Sequence, residues 1–411
     1  GPQPRLPAGD QGRRARTKPC VLALDFEGDF AAKEALALQL RASAPRAVRS
    51  GTLAMTQRPW IKGPQSMHAP QPGLTYPREA PPAPGCVTEI APGVLWFRLA
   101  LPFLLNHVNI YLVEDGQGWT LIDTGLGDAA TERAWGELLT GPLRAHPINR
   151  IIVTHFHPDH VGSAGWLLKR FEVPLYMSAT EYLLSLNMHL DPGALEAEHY
   201  RNFYRNHGLD AATTQNVVTK GHEYLRIVSG LPKTYRRLLA GDVLRLGGRD
   251  FEVLTGGGHS PEQVMLLNRD DKLFFAADQV LAKITPNVSV AAVDPAGDPL
   301  GIYLRSLGAL KETVADDVLV LPGHQLPFMG LGARAGQLER HHLLRCEAIA
   351  RACREAPRSA AELIPHIFER ALDAHQMGFA FSEVLAHVNY MLRRGELHGV
   401  SGPDRVERVR A

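Results

Sequence analysis

The sequence predicts an α+β fold: an αββα sandwich of two mixed β-sheets flanked by helices, with a small helical domain at its C-terminal end. Short apolar, β-branched runs alternate twice over with amphipathic stretches, the pattern of two sheets covered by helices. Several of these runs end in Gly- or Pro-containing turns that carry His or Asp. After residue 330 the strand-like runs give way to helical periodicity.

Taken in order, residues 1–85 read as a mostly disordered extension. Gly1-Pro-Gln-Pro-Arg-Leu-Pro7 and the stretch from Pro70 to Gly85 are rich in Pro, Gly and Arg and cannot bury enough apolar surface to fold alone. One short helix is expected near Ala31 to Ala42. The first methionine is Met55, so Gly1 is read as a processed or added end, or the frame as opening upstream of the true start. Arg13-Arg-Ala-Arg16 hints at a transit peptide, but Asp25, Glu27, Asp29 and Glu34 follow too soon to support one. A strand- and helix-bearing domain is expected over residues 86–330. Gly93 to Arg98, Asn109 to Val113 and Gly118 to Asp123 read as a strand meander, with Glu114 to Gly118 as a turn. Ala129 to Leu139 reads as a helix, Ile151 to Val153 as a buried strand, Trp166 to Phe171 as a helix and Leu175 to Met177 as a strand.

The most informative segment is Ile151-Ile-Val-Thr-His-Phe-His-Pro-Asp-His160, which places His155, His157, Asp159 and His160 within six residues after a strand. Imidazole and carboxylate ligands together suit zinc, iron or manganese. Residues two apart in an extended segment share a side, so His155, His157 and Asp159 are expected to converge, with His160 turned away. One turn could thus serve two metal ions.

His-x-His-x-Asp-His after a strand resembles the signature of the metallo-β-lactamase-fold hydrolases. That family carries three further ligands downstream, and the chain offers each after a strand-like run: His259 in Val253-Leu-Thr-Gly-Gly-Gly-His-Ser-Pro261, Asp278 after Leu273-Phe-Phe-Ala-Ala277, and His324 in Val318-Leu-Val-Leu-Pro-Gly-His324. Leu121-Ile-Asp-Thr-Gly125 matches an earlier family element, whose Asp123 supports the site from behind the ligands. The resemblance spans roughly Val87 to Phe328. It implies that His155, His157 and His259 hold one metal ion, that Asp159, His160 and His324 hold a second, and that Asp278 bridges them. Two divalent ions, zinc foremost, would activate a bridging hydroxide for attack on a carbonyl or phosphoryl centre. Asp159 would orient the water or protonate the leaving group. No covalent acyl-enzyme is expected, and Ser260 reads as a loop hydroxyl.

The passage from Thr180 to Arg237 is longer and more helical than a minimal sandwich needs, and carries Tyr182, Tyr200, Phe203, Tyr204, Tyr224 and Tyr235. It reads either as a lid over the metal mouth with an apolar pocket, or as helices whose aromatics form their own core. His107 precedes a strand and reads as packing rather than as a site residue. Beyond His324, Leu338 to Ala356 reads as a helix ended at Pro357. Ser359 to Glu362 forms a capping box before Leu363 to Phe368, interrupted by Pro365, and Ser382 to Leu392 is a third helix. Residues 334–402 thereby resemble the winged-helix appendage of some family members. Arg393 and Arg394 fit phosphate contacts, but Glu339, Glu347, Glu355, Glu362, Glu369 and Glu383 leave no basic face, so nucleic acid is not expected. Shaping the substrate channel or a dimer contact is the expected role.

Composition bounds the rest. Of 411 residues, 45% are hydrophobic and 21% charged, as in an ordinary globular protein, and the net charge of +1 gives no case for nucleic acid or membrane partners. Cys20, Cys86, Cys346 and Cys353 form no CxxC pair, so neither a disulfide framework nor a zinc ribbon is indicated, and a reducing cytoplasm fits. The resemblance to the thioesterase, lactonase and nuclease branches rests on Asp278, which antibiotic-hydrolysing members generally lack. No export signal is visible for a β-lactamase, and the extra His and Arg motifs of the nuclease branch are not found after His324. Gln279 to Ser289 does not match glyoxalase II, and Lys283 and Asn287 read either as lining the mouth, where they could hold an anionic group, or as surface residues. The expected activity is metal-dependent hydrolysis of a small-molecule thioester or lactone, with a nuclease or phosphodiesterase reading, or a non-catalytic signal-binding role, as the alternatives.

Overall fold

The computed structural model describes residues 71–190, 198–220, 223–401 and 404–411. The helix expected near residues 31–42 and the Arg13–Arg16 stretch lie outside them. Two mixed sheets form the centre. The first has seven strands in sequence order: β1 (Thr88–Ala91), β2 (Val94–Ala100), β3 (His107–Asp115), β4 (Gly118–Ile122), β5 (Ile148–Ile152), β6 (Leu175–Met177) and β7 (Arg236–Arg237). β1 to β4 pair antiparallel; β4 to β7 are parallel neighbours. The second sheet contains β8 (Val243–Leu246), β9 (Arg249–Gly256), β10 (Gln263–Asn268), β11 (Leu273–Ala277) and β12 (Leu319–Pro322), with only β11 and β12 parallel.

Strand alternation shows why both sheets are covered on both faces. In β3, Tyr111 and Val113 point between the sheets, while Val108, Ile110 and Leu112 point to the outer helices. In β10, Val264 and Leu266 face the inner layer, and Met265 and Leu267 the opposite one. A strand buried on two sides reads as a continuous apolar run, which β10 and β11 are. The inner layer is closed by Trp96, Phe251 and Phe275, each contributing about 1.5–3 kcal/mol of burial.

Outside the first sheet lie α1 (Ala129–Thr140), the single turn α2 (Pro158–Val161), α3 (Ala164–Phe171) and α4 (Ala179–Leu190). Asp128 caps α1, its side chain accepting from the Thr131 N–H at 2.8 Å. The helical passage continues through α5 (Glu198–Asn206), α6 (Ala211–Lys220) and α7 (Glu223–Arg226) before β7 rejoins the sheet. Tyr182 stacks on Tyr235 at 3.9 Å within the first sheet's outer core, whereas Phe203 and Tyr204 pack on Phe381 of the C-terminal helices. Its aromatics serve as core on two sides.

Outside the second sheet lie α8 (Pro299–Thr313) and a C-terminal helical domain: α9 (Leu331–Glu355), α10 (Ala360–Ile367) and α11 (Ala374–Arg393). The Ser359/Glu362 capping box is present, and Pro365 sits inside the short α10. A second capping box, Asp373 with Gln376, starts α11 eight residues before the expected Ser382. An antiparallel hairpin, β13 (His398–Ser401) and β14 (Glu407–Arg410), follows and runs past residue 402, where the domain was expected to end. Cys346 and Cys353 are buried in this domain's core, and burial pushes the Cys346 thiol up to about 12. Within the extension expected through residue 85, Thr75 bridges to Met329, and Leu74 and Tyr76 pack on the same core. Among the described residues, no helix is long and apolar enough to cross a membrane.

Candidate metal centre

Each candidate ligand sits just past the C-terminal end of a strand, and the two sheets bring those ends together. His155 and His157 follow β5, and Asp159 and His160 lie in α2; His259, Asp278 and His324 follow β9, β11 and β12. Three ligand groups result: His155, His157 and His259; His155, His160 and Asp278; and Asp159, His160 and His324, the ligand atoms in each within 4.8 Å of one another. The expected alternation fails at one point. Pro158 occupies the first position of α2, so the chain is helical by Asp159. The coil carries His160 inward instead of away, and Asp159 joins His160 and His324 rather than the first two histidines.

The orientation of the rings identifies the coordinating atoms. His155 Nε2, His160 Nε2 and Asp278 Oδ1 are buried with no hydrogen-bond partner. A buried polar atom without a partner costs about 1–3 kcal/mol, so three at one point call for a cation. His157 Nδ1 lies 3.0 Å from His259 Nε2. Asp278 Oδ2 lies 3.5 Å from His160 Nε2, 3.5 Å from His259 Nε2 and 3.2 Å from His324 Nε2, and so faces ligands of both outer triads. The donor set of imidazoles and carboxylates fits divalent metal ions.

The far side of nearly every ring is held. His160 Nδ1 meets Asp123 Oδ2 at 2.8 Å, His259 Nδ1 donates to the Asn287 carbonyl at 2.8 Å, and His324 Nδ1 donates to the His107 carbonyl at 2.7 Å. His155 Nδ1 meets Thr154 Oγ1 at 2.9 Å, and that hydroxyl reaches both Asp123 oxygens at 3.0 Å. Such partners fix the tautomer that leaves the inner nitrogen free to coordinate. Backbone geometry is equally specific. Asp123, Ala277 and Gln325, at φ of 63°, 46° and 69°, occupy the left-handed region beside or within the ligand turns. At Gly323 a Cβ would lie 2.2 Å from Asp278 Oδ1.

Electrostatics follow burial and charge. Burial, reinforced by the neighbouring rings, holds His155 well below its usual range, and burial with His259 brings His157 down to about 3. Burial also works against a charged His324, but the Asp278 and Asp159 carboxylates outweigh it and bring the ring up to about 10. His160 rises for the same reason, through Asp159, Asp123 and Asp278. Burial acts to raise Asp159 and Asp278, yet these histidines hold both carboxyls well below their usual range. The His160–His324 side thus concentrates negative charge that a cation can answer. The centre opens through His157, Asp159 and His259, which are partly exposed; His155, His160, Asp278 and His324 are buried.

Other residues close to the centre support it through backbone and side-chain bonds. His107 supports the site through its carbonyl, and its ring accepts from the Gln325 N–H at 2.9 Å. Asn287 contributes its carbonyl, and its side chain bonds Ser289. Lys283 is half-buried, and its amide donates to Gln325 Oε1 at 2.7 Å. Ser260 Oγ donates to Glu181 Oε1 at 2.8 Å, a loop hydroxyl as read. Glu181, Thr154 and Arg334 were not singled out at all. Arg334, buried in α9, donates to the carbonyls of Leu281, Lys283 and Ile284 at 2.6–2.8 Å, fixing the loop that runs from Asp278 to Asn287. Only the oddity of a charged residue within an apolar helical face could have flagged it.

Comparisons with known proteins place the chain in a family with this fold. A family model described as the metallo-beta-lactamase superfamily matches residues 104–324, and one described as a metallo-beta-lactamase-like C-terminal domain matches residues 346–411. A probable metallo-hydrolase, YqjP of Bacillus subtilis, is 24% identical over 305 residues, 72% of this chain and 92% of its own length. An acyl-coenzyme A thioesterase, MBLAC2 of Gallus gallus, is 28% identical over 292 residues, 67% of this chain and 92% of its own. The crystal structure of a beta-lactamase domain protein from Burkholderia ambifaria superimposes with a TM-score of 0.74 at 39% identity, covering 82% of this chain and 97% of that one.

Proposed function

The chain belongs to the metallo-β-lactamase superfamily as a metallo-hydrolase, and we propose that it hydrolyses small-molecule thioesters, with lactones as the related carbonyl class. The observation that carries the reading is the position of Asp278. Its Oδ2 lies 3.2–3.5 Å from nitrogens of both outer triads, which supports a centre where two divalent cations would share one carboxylate; zinc is the first candidate among the metals such ligands accept. The thioester choice draws support from the acyl-coenzyme A thioesterase relative, most of whose length aligns with this chain. In this reading His155, His157 and His259 would hold one cation, Asp159, His160 and His324 the other, and Asp278 both.

When bound, the two cations supply Lewis acidity that lowers the pKa of water and polarises the substrate carbonyl. The protein's own groups do the rest. Asp159 Oδ2 stands 3.3 Å from His324 Nε2 with its side chain a fifth exposed, so it faces both the ligands and the opening. It takes the proton from the attacking water as the oxygen bonds to the carbonyl carbon. When the C–S bond breaks, the proton passes to the departing sulfur. No side-chain nucleophile is required, because Ser260 is committed to Glu181. Asn287, His107 and Asp123 keep the His259, His324 and His160 rings from turning.

The test is turnover by the metal-reconstituted protein, with the metal identified by elemental analysis, on acyl-coenzyme A thioesters, lactones, a cephalosporin and bis-p-nitrophenyl phosphate. Thioester or lactone hydrolysis is expected, lost together with metal in Asp278→Ala. Activity on the phosphodiester alone would overturn the carbonyl reading in favour of phosphoryl transfer. Absence of turnover with two metals bound would favour a binding role, and an unchanged metal content and rate in Asp278→Ala would remove the shared carboxylate from the scheme.

A further inference from the structure

Phe156 separates His155 from His157, and its peptide groups are held by side chains from the helical passage. Glu181, on α4, accepts from the Phe156 N–H through Oε2 at 3.0 Å. Its Oε1 accepts from Ser260 Oγ at 2.8 Å and from the Glu262 N–H at 2.7 Å, on the loop that follows His259. The next peptide, between Phe156 and His157, is fixed as well: Tyr224 Oη, on α7, donates to the Phe156 carbonyl at 2.9 Å. Tyr224 is itself positioned by Ser185 of α4 at 2.8 Å. Glu181 is fully buried.

We propose that Glu181 is the positioning residue of the His155–His157–His259 triad. One carboxylate spans the two turns that carry these rings and sets the distance between them. The inference rests on the metal-centre reading above and adds to it a role for the helical passage, which joins the centre through Glu181 and Tyr224 and, among the described residues, lends no ligand.

The argument is one of donors and reach. Glu181 meets three donors and no acceptor, so both its oxygens must accept. Gln cannot substitute. With its NH2 toward Phe156, two N–H groups face each other; with its NH2 toward Glu262, the same happens on the other turn. Asp is one methylene too short to keep both turns at once. Burial strengthens each of these charge-assisted bonds, because no water stands ready to replace the carboxylate. The other triad lacks this tie, since Asp159, His160 and His324 are backed by Asp123 and the His107 carbonyl instead.

The experiment is a cobalt(II) titration of the metal-free full-length chain against a competing chelator, read by the visible d–d bands and by bound-metal stoichiometry. Wild type should bind two ions in two steps, and His157→Ala identifies which step belongs to the triad. Failure of wild type to bind cobalt would refute the metal-centre reading itself. Given two steps, Glu181→Ala and Glu181→Gln should both weaken the triad step by about 10–100-fold while leaving the other within about twofold. They should also alter the d–d bands of the triad step, which lost stability alone would not do. Equal weakening of both steps, an unchanged triad step, or rescue by Gln would overturn the proposal. Should the Glu181 variants not fold, Ser260→Ala and Tyr224→Phe decide it. Each removes one tie and should weaken the triad step by roughly threefold to tenfold, and unchanged titrations in both would overturn the proposal.

Discussion

Replacing Asp123 by Asn changes one oxygen into an NH2 group, and the surroundings leave that group no good place. One oxygen of Asp123 accepts from the Thr154 N–H at 2.8 Å; the other faces His160 Nδ1 at 2.8 Å. With the NH2 toward His160, the ring must accept at Nδ1 and carry its proton on Nε2, the atom needed for coordination. With the NH2 toward Thr154, two donors meet in a buried site. The second arrangement strands a peptide N–H at about 1–3 kcal/mol and weakens a charged hydrogen bond worth about 1.5–3 kcal/mol to a neutral one. A loss of about 2–4 kcal/mol follows. Loss of a partner behind a ligand costs about 10–100-fold in metal affinity, or roughly 1.4–2.7 kcal/mol, so the two estimates overlap. Backbone strain does not confuse the comparison, because Asn tolerates the φ of 63° that Asp123 adopts. The assay is denaturation of metal-free and metal-loaded protein at one fixed free-metal concentration. At 100 times Kd, metal adds about 2.7 kcal/mol of stability; a 100-fold weaker site at the same concentration adds only about 0.4 kcal/mol. Metal-induced stabilisation equal to that of wild type would refute the reasoning and reduce Asp123 to a turn residue.

Two further substitutions test the frame around the ligands. Gly323→Ala would place a Cβ 2.2 Å from Asp278 Oδ1 and 2.8 Å from His160 Cε1; bound metal measured by elemental analysis should fall well below two per chain, and full occupancy would show that Asp278 has room to move. Arg334→Met should strand buried carbonyls of the 281–284 loop, costing about 3 kcal/mol or more of stability in urea unfolding, and a change under 1 kcal/mol would show that the loop holds itself.

Much of the centre was legible because its ligands follow strands closely in the chain. The spacing of His155, His157, Asp159 and His160 is local and readable as pattern, whereas His259, Asp278 and His324, each ending an apolar run, were picked out through the family resemblance. The inward turn of His160 was misjudged because alternation was carried past Pro158, where the helix begins. The supports behind the ligands were harder to read. Arg334 meets Leu281 across 53 residues, and Glu181 meets Ser260 across 79. Neither pairing leaves a periodic signal, because hydrogen bonds between distant loops depend on the finished packing. The early start of α11 was hidden similarly: Gly378 interrupts the helical pattern, while the Asp373–Gln376 capping box and burial of Phe381 against Phe203 hold it in place.

The ligand set has a consequence for how the two sheets depend on each other. His155 and His157 of one triad, and Asp159 and His160 of the other, follow β5 of the first sheet; His259 and His324 come from the second. Neither triad can close unless the sheets meet at the right spacing. That spacing is set near the site by direct bonds between sheets: the Asn109 N–H donates to the Gly323 carbonyl at 2.7 Å, Tyr111 Oη donates to the Pro322 carbonyl at 2.9 Å, and the Val264 N–H donates to the Thr154 carbonyl at 2.8 Å. Each bond ends one or two residues before a ligand. A cation bound by either triad would therefore fasten the same interface that these bonds align, and its binding energy would add to the cohesion of the sandwich. Distortions of the inner layer, at Tyr111 or its ring partner Phe275, would reach the centre by changing that spacing, although neither residue is a ligand.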